Sequence, residues 1–194
     1  MITRATVFCG SSSLSAPHFQ EATIKLAKQL VKENILVQYG GGEIGLMGRL
    51  ADTVIEEGGK IRGVIPHFMV EEGWVHPGVA DMKVVTDMAE RKRLLITETD
   101  VIIALPGGFG TLEELSEAIT LKQLGLISVP VLILNIDKFY DPLFDFFNRM
   151  VQNNFIRKQH NETWTVLNRP EEIISAIHAS KTWDTGNARA TAAL

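Results

Sequence analysis

A glycine-rich loop stands directly after one of the most apolar runs of the chain, Val101–Leu105. Glycine lets backbone N–H groups approach an anion without obstruction by a Cβ. A helix that begins at Thr111 would add free N–H groups and a favourable dipole. The loop therefore predicts a phosphate site; the alternative is a tight turn in which Thr111 is a plain N-cap. Its residues are Pro106, Gly107, Gly108, Phe109, Gly110 and Thr111.

Two ionisable residues could carry out chemistry beside a phosphate held there. Glu114 lies three residues after Thr111 and shares its helix face, about where an attached ribose would lie. Arg91, near the start of the preceding predicted helix, could orient Glu114 or hold ribose and phosphate oxygens. A carboxylate can stabilise the cationic transition state of N-glycosidic cleavage or activate water. The structural alternatives are a capping box for Glu114 and a solvated charged run for Arg91.

The spacing of other residues argues against other chemistries. The pattern Gly40-x-Gly42-x-x-Gly45 follows an apolar run, but no acidic residue ends the next run to hold the ribose of a dinucleotide. The chain has no Walker A loop, and its five histidines show no metal-ligand spacing, so we expect neither a metal nor a cofactor. Cys9, the single cysteine, ends an apolar run and is predicted to be a buried small hydrophobe.

A sheet must position these residues, because short apolar runs alternate with longer amphipathic segments. The alternation predicts an α/β fold with a mainly parallel sheet and helices on both faces. Residues 66–80 are irregular, which is typical of a lid or of a plain ordered connection. The predicted strands are Ala5–Cys9, Ile35–Tyr39, Ile61–Ile65, Met82–Val85, Val101–Leu105 and Val129–Leu134. The predicted helices cover residues 16–33, 45–58, 88–98, 111–124, 140–153 and 170–179.

Ligands of an open parallel sheet bind beyond the carboxyl ends of its strands. Four predicted strand ends carry glycine, hydroxyl or charged residues, so we expect one continuous ligand surface along that edge. The hydroxyls of Ser11, Ser12 and Ser13 are predicted either to bind a ligand or only to shape a turn. The four segments are Cys9–Ser13, Gly40–Gly45, Met88–Lys92 and Pro106–Thr111.

Composition limits the partners and the location. The 194 residues suit one domain, here 1–180, followed by a flexible tail at 181–194. A net charge of −4 argues against binding of a nucleic-acid polymer, which favours a basic surface. A lone cysteine, no signal-peptide pattern and no long apolar run predict a cytoplasmic protein without a membrane span.

The sequence resembles the LOG family, the cytokinin riboside 5′-monophosphate phosphoribohydrolases, whose members are often labelled lysine decarboxylases. Residues 106–114 are similar to the family's Pro-Gly-Gly-x-Gly-Thr-x-x-Glu signature. Met88–Lys92 resembles its second signature, and Phe8–Ser12 and Tyr39–Gly42 also look like family segments. The similarity covers nearly the whole chain.

The resemblance implies a Rossmann-like, doubly wound fold and a homodimer. It implies hydrolysis of an adenosine 5′-monophosphate, plain or N6-prenylated, to free base and ribose 5-phosphate, with no cofactor. Arg91 and Glu114 would be catalytic, and Gly108–Thr111 would hold the phosphate. The full set of expected substrate-binding residues is Ser12, Gly41, Gly42, Met88, Lys92, Gly107, Gly108, Phe109, Gly110, Thr111, Glu113 and Thr120.

Two departures from the family pattern bear on substrate preference. Ala89 stands where the family often has histidine, and Glu71 and Glu72 replace a glutamate expected near Gly73. No lysine site for pyridoxal phosphate is recognisable, which argues against a decarboxylase. The alternatives are a carrier of a nucleotide, or of a nucleotide-bearing molybdenum cofactor, without chemistry, and an interaction protein whose loops are only turns.

Overall fold

The computed structural model describes residues 2–180 and 183–186. In this part of the chain seven strands form one sheet: β1 Arg4–Phe8, β2 Leu36–Tyr39, β3 Ile61–Pro66, β4 Asp81–Val85, β5 Val101–Ala104, β6 Val131–Leu134 and β7 Thr165–Leu167. Their order is β4-β3-β2-β1-β5-β6-β7, and every neighbouring pair is parallel. The helices are α1 Pro17–Lys32, α2 Gly45–Glu56, α3 His67–Glu71, α4 Met88–Thr97, α5 Phe109–Gln123, α6 Asp141–Gln152 and α7 Ile173–Ala179. Short 3-10 turns cover Ile136–Lys138, Lys158–Thr163 and Pro170–Glu172.

The strands bury both of their faces, as their apolar runs predict. In β5, Val101 and Ile103 belong to the core shared with α1, α2 and α7, whereas Ile102 and Ala104 belong to the core shared with α4 and α5. The alternation follows from the two-residue period of a strand. Helices therefore cover both faces, and the predicted Rossmann-like, doubly wound class is confirmed.

The path of the chain creates a crevice between β1 and β5. From β1 the chain moves outward through β2, β3 and β4, and then returns to place β5 on the other side of β1. At such a switch point the loops after the two strands diverge and leave room for a ligand. The loops after β1, β2 and β5, with their glycines, all lie at this edge, as predicted.

Both boundaries of each predicted strand and helix lie within two residues of the observed ones. The exception is the predicted helix 170–179, whose first three residues form a 3-10 turn before α7. The sequence did not predict β7 or α3. The β7 strand has three residues, of which only Leu167 is buried, so it gives no apolar run. The α3 helix has five residues and buries none of them, so it gives no helical period.

The irregular segment 66–80 is an ordered connection attached to the loop after β2. Gly42 and Val75 form an antiparallel bridge. On either side of it, Glu43 N–H donates to Trp74 O at 3.1 Å and His76 N–H donates to Gly41 O at 3.0 Å.

The predicted flexible tail, 181–194, lies largely outside the described residues. Of its described part, Trp183 N–H donates to Ser128 O at 3.4 Å, and its ring centroid lies 5.9 Å from Lys122 Nζ. Burial lowers the pKa of Lys122 to about 8. Among the described helices, none has the length and apolar character needed to span a bilayer.

Candidate active site

A cavity of about 440 Å³ opens at the carboxyl edge of the sheet. The loops after β1, β2 and β5 form much of it, α4 and α5 add charged side chains, and the segment after β3 closes one side. The lining residues are Val7, Phe8, Cys9, Gly10, Ser11, Gly40, Gly42, Glu43, Ile44, Met47, Ile65, Met69, Trp74, Met88, Arg91, Gly108, Phe109, Gly110, Thr111 and Glu114.

Arg91 and Glu114 form a buried ion pair in this cavity. Arg91 Nη1 lies 3.0 Å from Glu114 Oε1, and the two side chains are 8% and 9% exposed. Arg91 Nε donates to Val64 O at 3.1 Å, and Nη2 donates to Gly40 O at 3.4 Å. Main-chain oxygens thus hold the guanidinium in place while it presents Nη1 to the carboxylate. Of the two roles predicted for Arg91, these contacts favour the orientation of Glu114.

Three local features direct Arg91 into the cavity. The α4 helix buries Arg91 on the same face as Leu95, one turn later. Asp87 caps the start of this helix by accepting the N–H of Glu90 at 2.8 Å. Gly40 leaves the space that the guanidinium occupies, since a Cβ there would collide with Arg91 Nη2.

The pair controls the ionisation of Glu114. Burial raises the pKa of its carboxyl above the ordinary value of 4.5, and the positive charge of Arg91 opposes that rise. Arg91 therefore favours the carboxylate form in surroundings that otherwise favour the neutral acid.

The α5 helix begins at Phe109, two residues before the predicted start. Gly108 is its N-cap residue, and Thr111 lies in the first turn with a buried side chain. Thr111 is therefore not the N-cap and Glu114 does not belong to a capping box, so both structural alternatives for this region are wrong.

The start of α5 presents free backbone donors to the cavity. The helical ladder begins with Leu112 N–H, which donates to Gly108 O at 3.0 Å. The N–H groups of residues 109–111 thus have no acceptor within the helix. These residues line the cavity, so the helix start offers it both N–H donors and the positive end of a helix dipole.

The three glycines of this loop differ in what surrounds them. A Cβ on Gly107 would lie 2.6 Å from Thr111 Cβ and 2.9 Å from Gly10 N, so close packing requires glycine there. A Cβ on Gly108 or Gly110 would meet no heavy atom within 4 Å. Packing inside the chain thus does not require glycine at these two positions, and the space in front of them is open to a ligand.

Half of the expected substrate-binding residues line the cavity: Gly42, Met88, Gly108, Phe109, Gly110 and Thr111. The other six, Ser12, Gly41, Lys92, Gly107, Glu113 and Thr120, do not. Ser12 and Gly107 instead line a neighbouring cavity of about 280 Å³. Gly41 has a φ of +81°, which favours glycine whatever binds nearby.

Lys92 forms a second tie between α4 and α5. Its Nζ lies 2.8 Å from Glu113 Oε1 and 2.9 Å from Glu117 Oε2. Hydrogen bonds to these two carboxylates raise the pKa of Lys92. Thr120, further along α5, donates its hydroxyl to Ser116 O at 2.7 Å. These side chains are engaged with the protein itself rather than with the cavity.

Several lining residues were not predicted from the sequence. Met69 and Trp74 belong to the irregular segment, where no period marks them. Glu43 could have been noticed as an acidic residue within the glycine run after β2. Glu71 and Glu72, the carboxylates that the family pattern suggests, are exposed and do not line the cavity. Ala89, where the family often has histidine, is likewise exposed and outside the lining.

His76 anchors the wall that carries Trp74. Its Nδ1 accepts the N–H of Gly78 at 3.1 Å, which assigns the proton of the neutral ring to Nε2. Nε2 then donates to Asp52 Oδ1 on α2 at 3.1 Å. The imidazole thereby joins the segment after β3 to the helix after β2.

Cys9 is buried in the cavity wall, as predicted. Burial raises the pKa of its thiol, so the thiolate is disfavoured. Within the described residues, no three histidine, cysteine, aspartate or glutamate side chains come together to hold a metal ion.

Fold and site together define a Rossmann-like α/β protein with an arginine–glutamate pair buried at the topological switch point. A family model described as possible lysine decarboxylase matches residues 47–177. A probable cytokinin riboside 5′-monophosphate phosphoribohydrolase of Oryza sativa subsp. japonica is 41% identical over 174 residues, 90% of this chain and 71% of that protein. A cytokinin riboside 5′-monophosphate phosphoribohydrolase of Arabidopsis thaliana is 44% identical over 153 residues, 79% of this chain and 70% of that protein. The chain belongs to the LOG family, which confirms the resemblance of its motifs.

Similar solved structures support the fold. The molybdenum cofactor binding protein of Rippkaea orientalis has a TM-score of 0.71 at 21% identity, covering 92% of this chain and 97% of that one. The molybdenum cofactor carrier protein of Chlamydomonas reinhardtii has a TM-score of 0.69 at 18% identity, with the same coverage. Similarity at this level of identity shows a common fold and carries no information on the ligand.

Breaking the buried ion pair from one side should destabilise the protein. Arg91→Met leaves Glu114 buried without a counter-charge, so we expect a loss of about 3–5 kcal/mol in the free energy of unfolding, measured by urea denaturation. The double variant Arg91→Met/Glu114→Leu removes both charges and should recover most of the loss. Lys92→Met, which breaks the outer tie, is the control and should cost at most about 1 kcal/mol. A double variant as unstable as Arg91→Met would contradict this account.

Proposed function

We propose that this protein hydrolyses the N-glycosidic bond of an adenosine 5′-monophosphate, plain or N6-prenylated, and releases free base and ribose 5-phosphate. The observation that carries the proposal is the Arg91–Glu114 pair, which lines the same cavity as the free N–H groups at the start of α5. The names of its relatives, cytokinin riboside 5′-monophosphate phosphoribohydrolases, support the same reaction.

The start of α5 is the proposed phosphate site. Its N–H donors and dipole favour an anion, and the missing Cβ atoms of Gly108 and Gly110 leave room for a close approach. Thr111 adds a hydroxyl. In the described lining, Arg91 is the one cationic side chain and is already paired with Glu114. A phosphate would therefore depend on main-chain donors rather than on a side-chain cation.

Glu114 is the proposed catalytic carboxylate. A ribose attached to that phosphate would extend towards it, because Glu114 follows the phosphate loop by about one helical turn. When the bond from C1′ to the base nitrogen breaks, the base leaves with the electron pair and positive charge develops at C1′. The carboxylate stabilises this charge or takes a proton from the attacking water, whose oxygen then bonds to C1′. The released base gains a proton.

The far side of the cavity suits an apolar base. Met47, Met69, Trp74 and Ile65 contribute large hydrophobic side chains to its lining. Aromatic and thioether groups pack well against a purine, and methionine adapts to irregular shapes. This wall supports an N6-prenylated nucleotide as a substrate alongside the plain one.

We further infer a homodimer in the cytoplasm. Phe109, which lines the cavity, and Leu14, on the loop after β1, are each 92% exposed. Exposed apolar side chains beside a functional cavity favour a protein partner, and the family resemblance implies that the partner is a second copy. The unpaired thiol of Cys9 is compatible with a reducing compartment.

Base release tests the reaction directly. The purified protein is incubated separately with adenosine monophosphate and with its N6-isopentenyl form, and free base is followed by chromatography. We expect release from at least the prenylated nucleotide, and a loss of about 10²–10⁴-fold in kcat for Glu114→Gln. Glu56→Gln, the same change at an exposed position on α2, is the control and should not alter the rate. Tight nucleotide binding without any base release would favour the carrier function instead.

The pH dependence of kcat/KM tests the role of Arg91. Because burial raises the pKa of Glu114, activity should be present above that pKa and lost as the pH falls through it, with the acid limb above pH 4.5. Arg91→Lys keeps the positive charge and should leave the limb near its wild-type position. Arg91→Met removes the charge that lowers the pKa, so its residual activity should show a limb at higher pH. The same limb in all three folded proteins would argue against electrostatic control.

Light scattering coupled to size-exclusion chromatography tests the assembly. We expect twice the mass of one chain, and a lower apparent association for Leu14→Asp, which places a charge on the proposed contact surface. A mass of one chain at every loading concentration would contradict the dimer.

A further inference from the structure

Glu43 is a second carboxylate in the lining of the cavity, and its exposed side chain is unpaired among the residues that the structure describes. In the described lining its only charged companions are Arg91 and Glu114, which are paired with each other. The Glu43 carboxylate makes neither a hydrogen bond nor an ion pair with any residue in 2–180 or 183–186. It is therefore free to meet a ligand.

The backbone around Glu43 is well anchored. Its N–H donates to Trp74 O at 3.1 Å, beside the bridge between Gly42 and Val75. Two residues later, Gly45 has a φ of +69° and packs so closely on the loop after β1 that a Cβ would lie 2.5 Å from Ser11 C. These contacts fix the main chain of Glu43 at the edge of the cavity, while its exposed side chain keeps its rotamer freedom until a ligand binds.

The sheet places Glu43 away from the proposed phosphate site. β2 and β5 each pair with β1, so the loops that follow them begin about 10 Å apart at the usual strand spacing. The phosphate loop follows β5, and Glu43 follows β2. This separation allows Glu43 to contact the nucleoside part of a nucleotide whose phosphate is held at α5.

We propose that Glu43 selects the substrate by accepting a hydrogen bond from the nucleoside, either from the amino group of the base or from a ribose hydroxyl. An ionised carboxylate only accepts hydrogen bonds. It therefore favours a ligand that offers an N–H or O–H group there and disfavours one that offers an oxygen acceptor. The inference rests on the proposed function for the nature of its ligand.

The test removes the acceptor and the donors in turn. Dissociation constants by calorimetry, and kcat/KM, are measured for the wild type, Glu43→Ala and Glu43→Gln. For adenosine monophosphate we expect Glu43→Ala to weaken binding by about 10- to 100-fold, as for loss of a hydrogen bond to a charged group. Glu43→Gln keeps a neutral acceptor, so its dissociation constant should lie between those of the wild type and Glu43→Ala. Glu56→Ala, at an exposed position on α2, is the control and should bind like the wild type.

Substrate analogues identify the donor. If the amino group donates, the effect of Glu43→Ala should largely vanish with N6,N6-dimethyl-adenosine monophosphate. If a ribose hydroxyl donates, the effect should vanish with the 2′-deoxy or the 3′-deoxy nucleotide. An equal effect on every analogue, or no effect on adenosine monophosphate, would overturn the proposal.

The binding measurement separates this inference from the hydrolase. Wild-type binding that depends on Glu43 without any base release would support the selection role while refuting hydrolysis. Base release and nucleotide binding that are the same in the wild type and in both Glu43 variants would refute the selection role but not hydrolysis. No binding of any nucleotide by the wild type would refute both.

Discussion

The pairing of Arg91 with Glu114 is the contact around which the rest of the site is arranged. Two charges taken out of water are costly unless each is matched, so the neighbouring chain must supply the remaining acceptors and the space. Val64 O and Gly40 O accept two of the guanidinium's hydrogen bonds. Outside the pair, Lys92 ties the same two helices through glutamates on α5. The buried Arg91–Glu114 pair and the outer ion pairs of Lys92 together join α4 to α5 at the switch point of the sheet.

Much of this arrangement could be predicted from local sequence. Apolar runs buried on two faces identify parallel strands, and parallel strands bring their carboxyl ends to one edge, so the meeting of Arg91, Glu114 and the glycine loop follows from order along the chain. The start of α5 could not be predicted to the residue, because glycine and phenylalanine at 108–110 give no clear boundary. Met69 and Trp74 could not be predicted because a long-range bridge, rather than any local pattern, places them in the wall.

Glycines that look alike in the sequence have three different physical causes here. Gly40 and Gly107 leave space for a neighbouring side chain, while Gly41 adopts a backbone conformation that other residues rarely do. Gly108 and Gly110 satisfy no requirement inside the chain. The glycines of these two loops thus have separate causes, and the chain itself requires glycine only at positions 40, 41 and 107 of the five.

The two ends of the cavity would respond differently to evolutionary change. At the start of α5 the donors are peptide N–H groups, which almost every amino acid possesses, so most replacements of the Phe109 side chain leave them intact. At the other end, the proposed contacts with the base come from side chains such as Met47 and Trp74, each of which a single nucleotide change can replace. Under the proposed function, descendants of this chain should therefore diversify in the base they accept long before they lose a preference for a phosphorylated ligand.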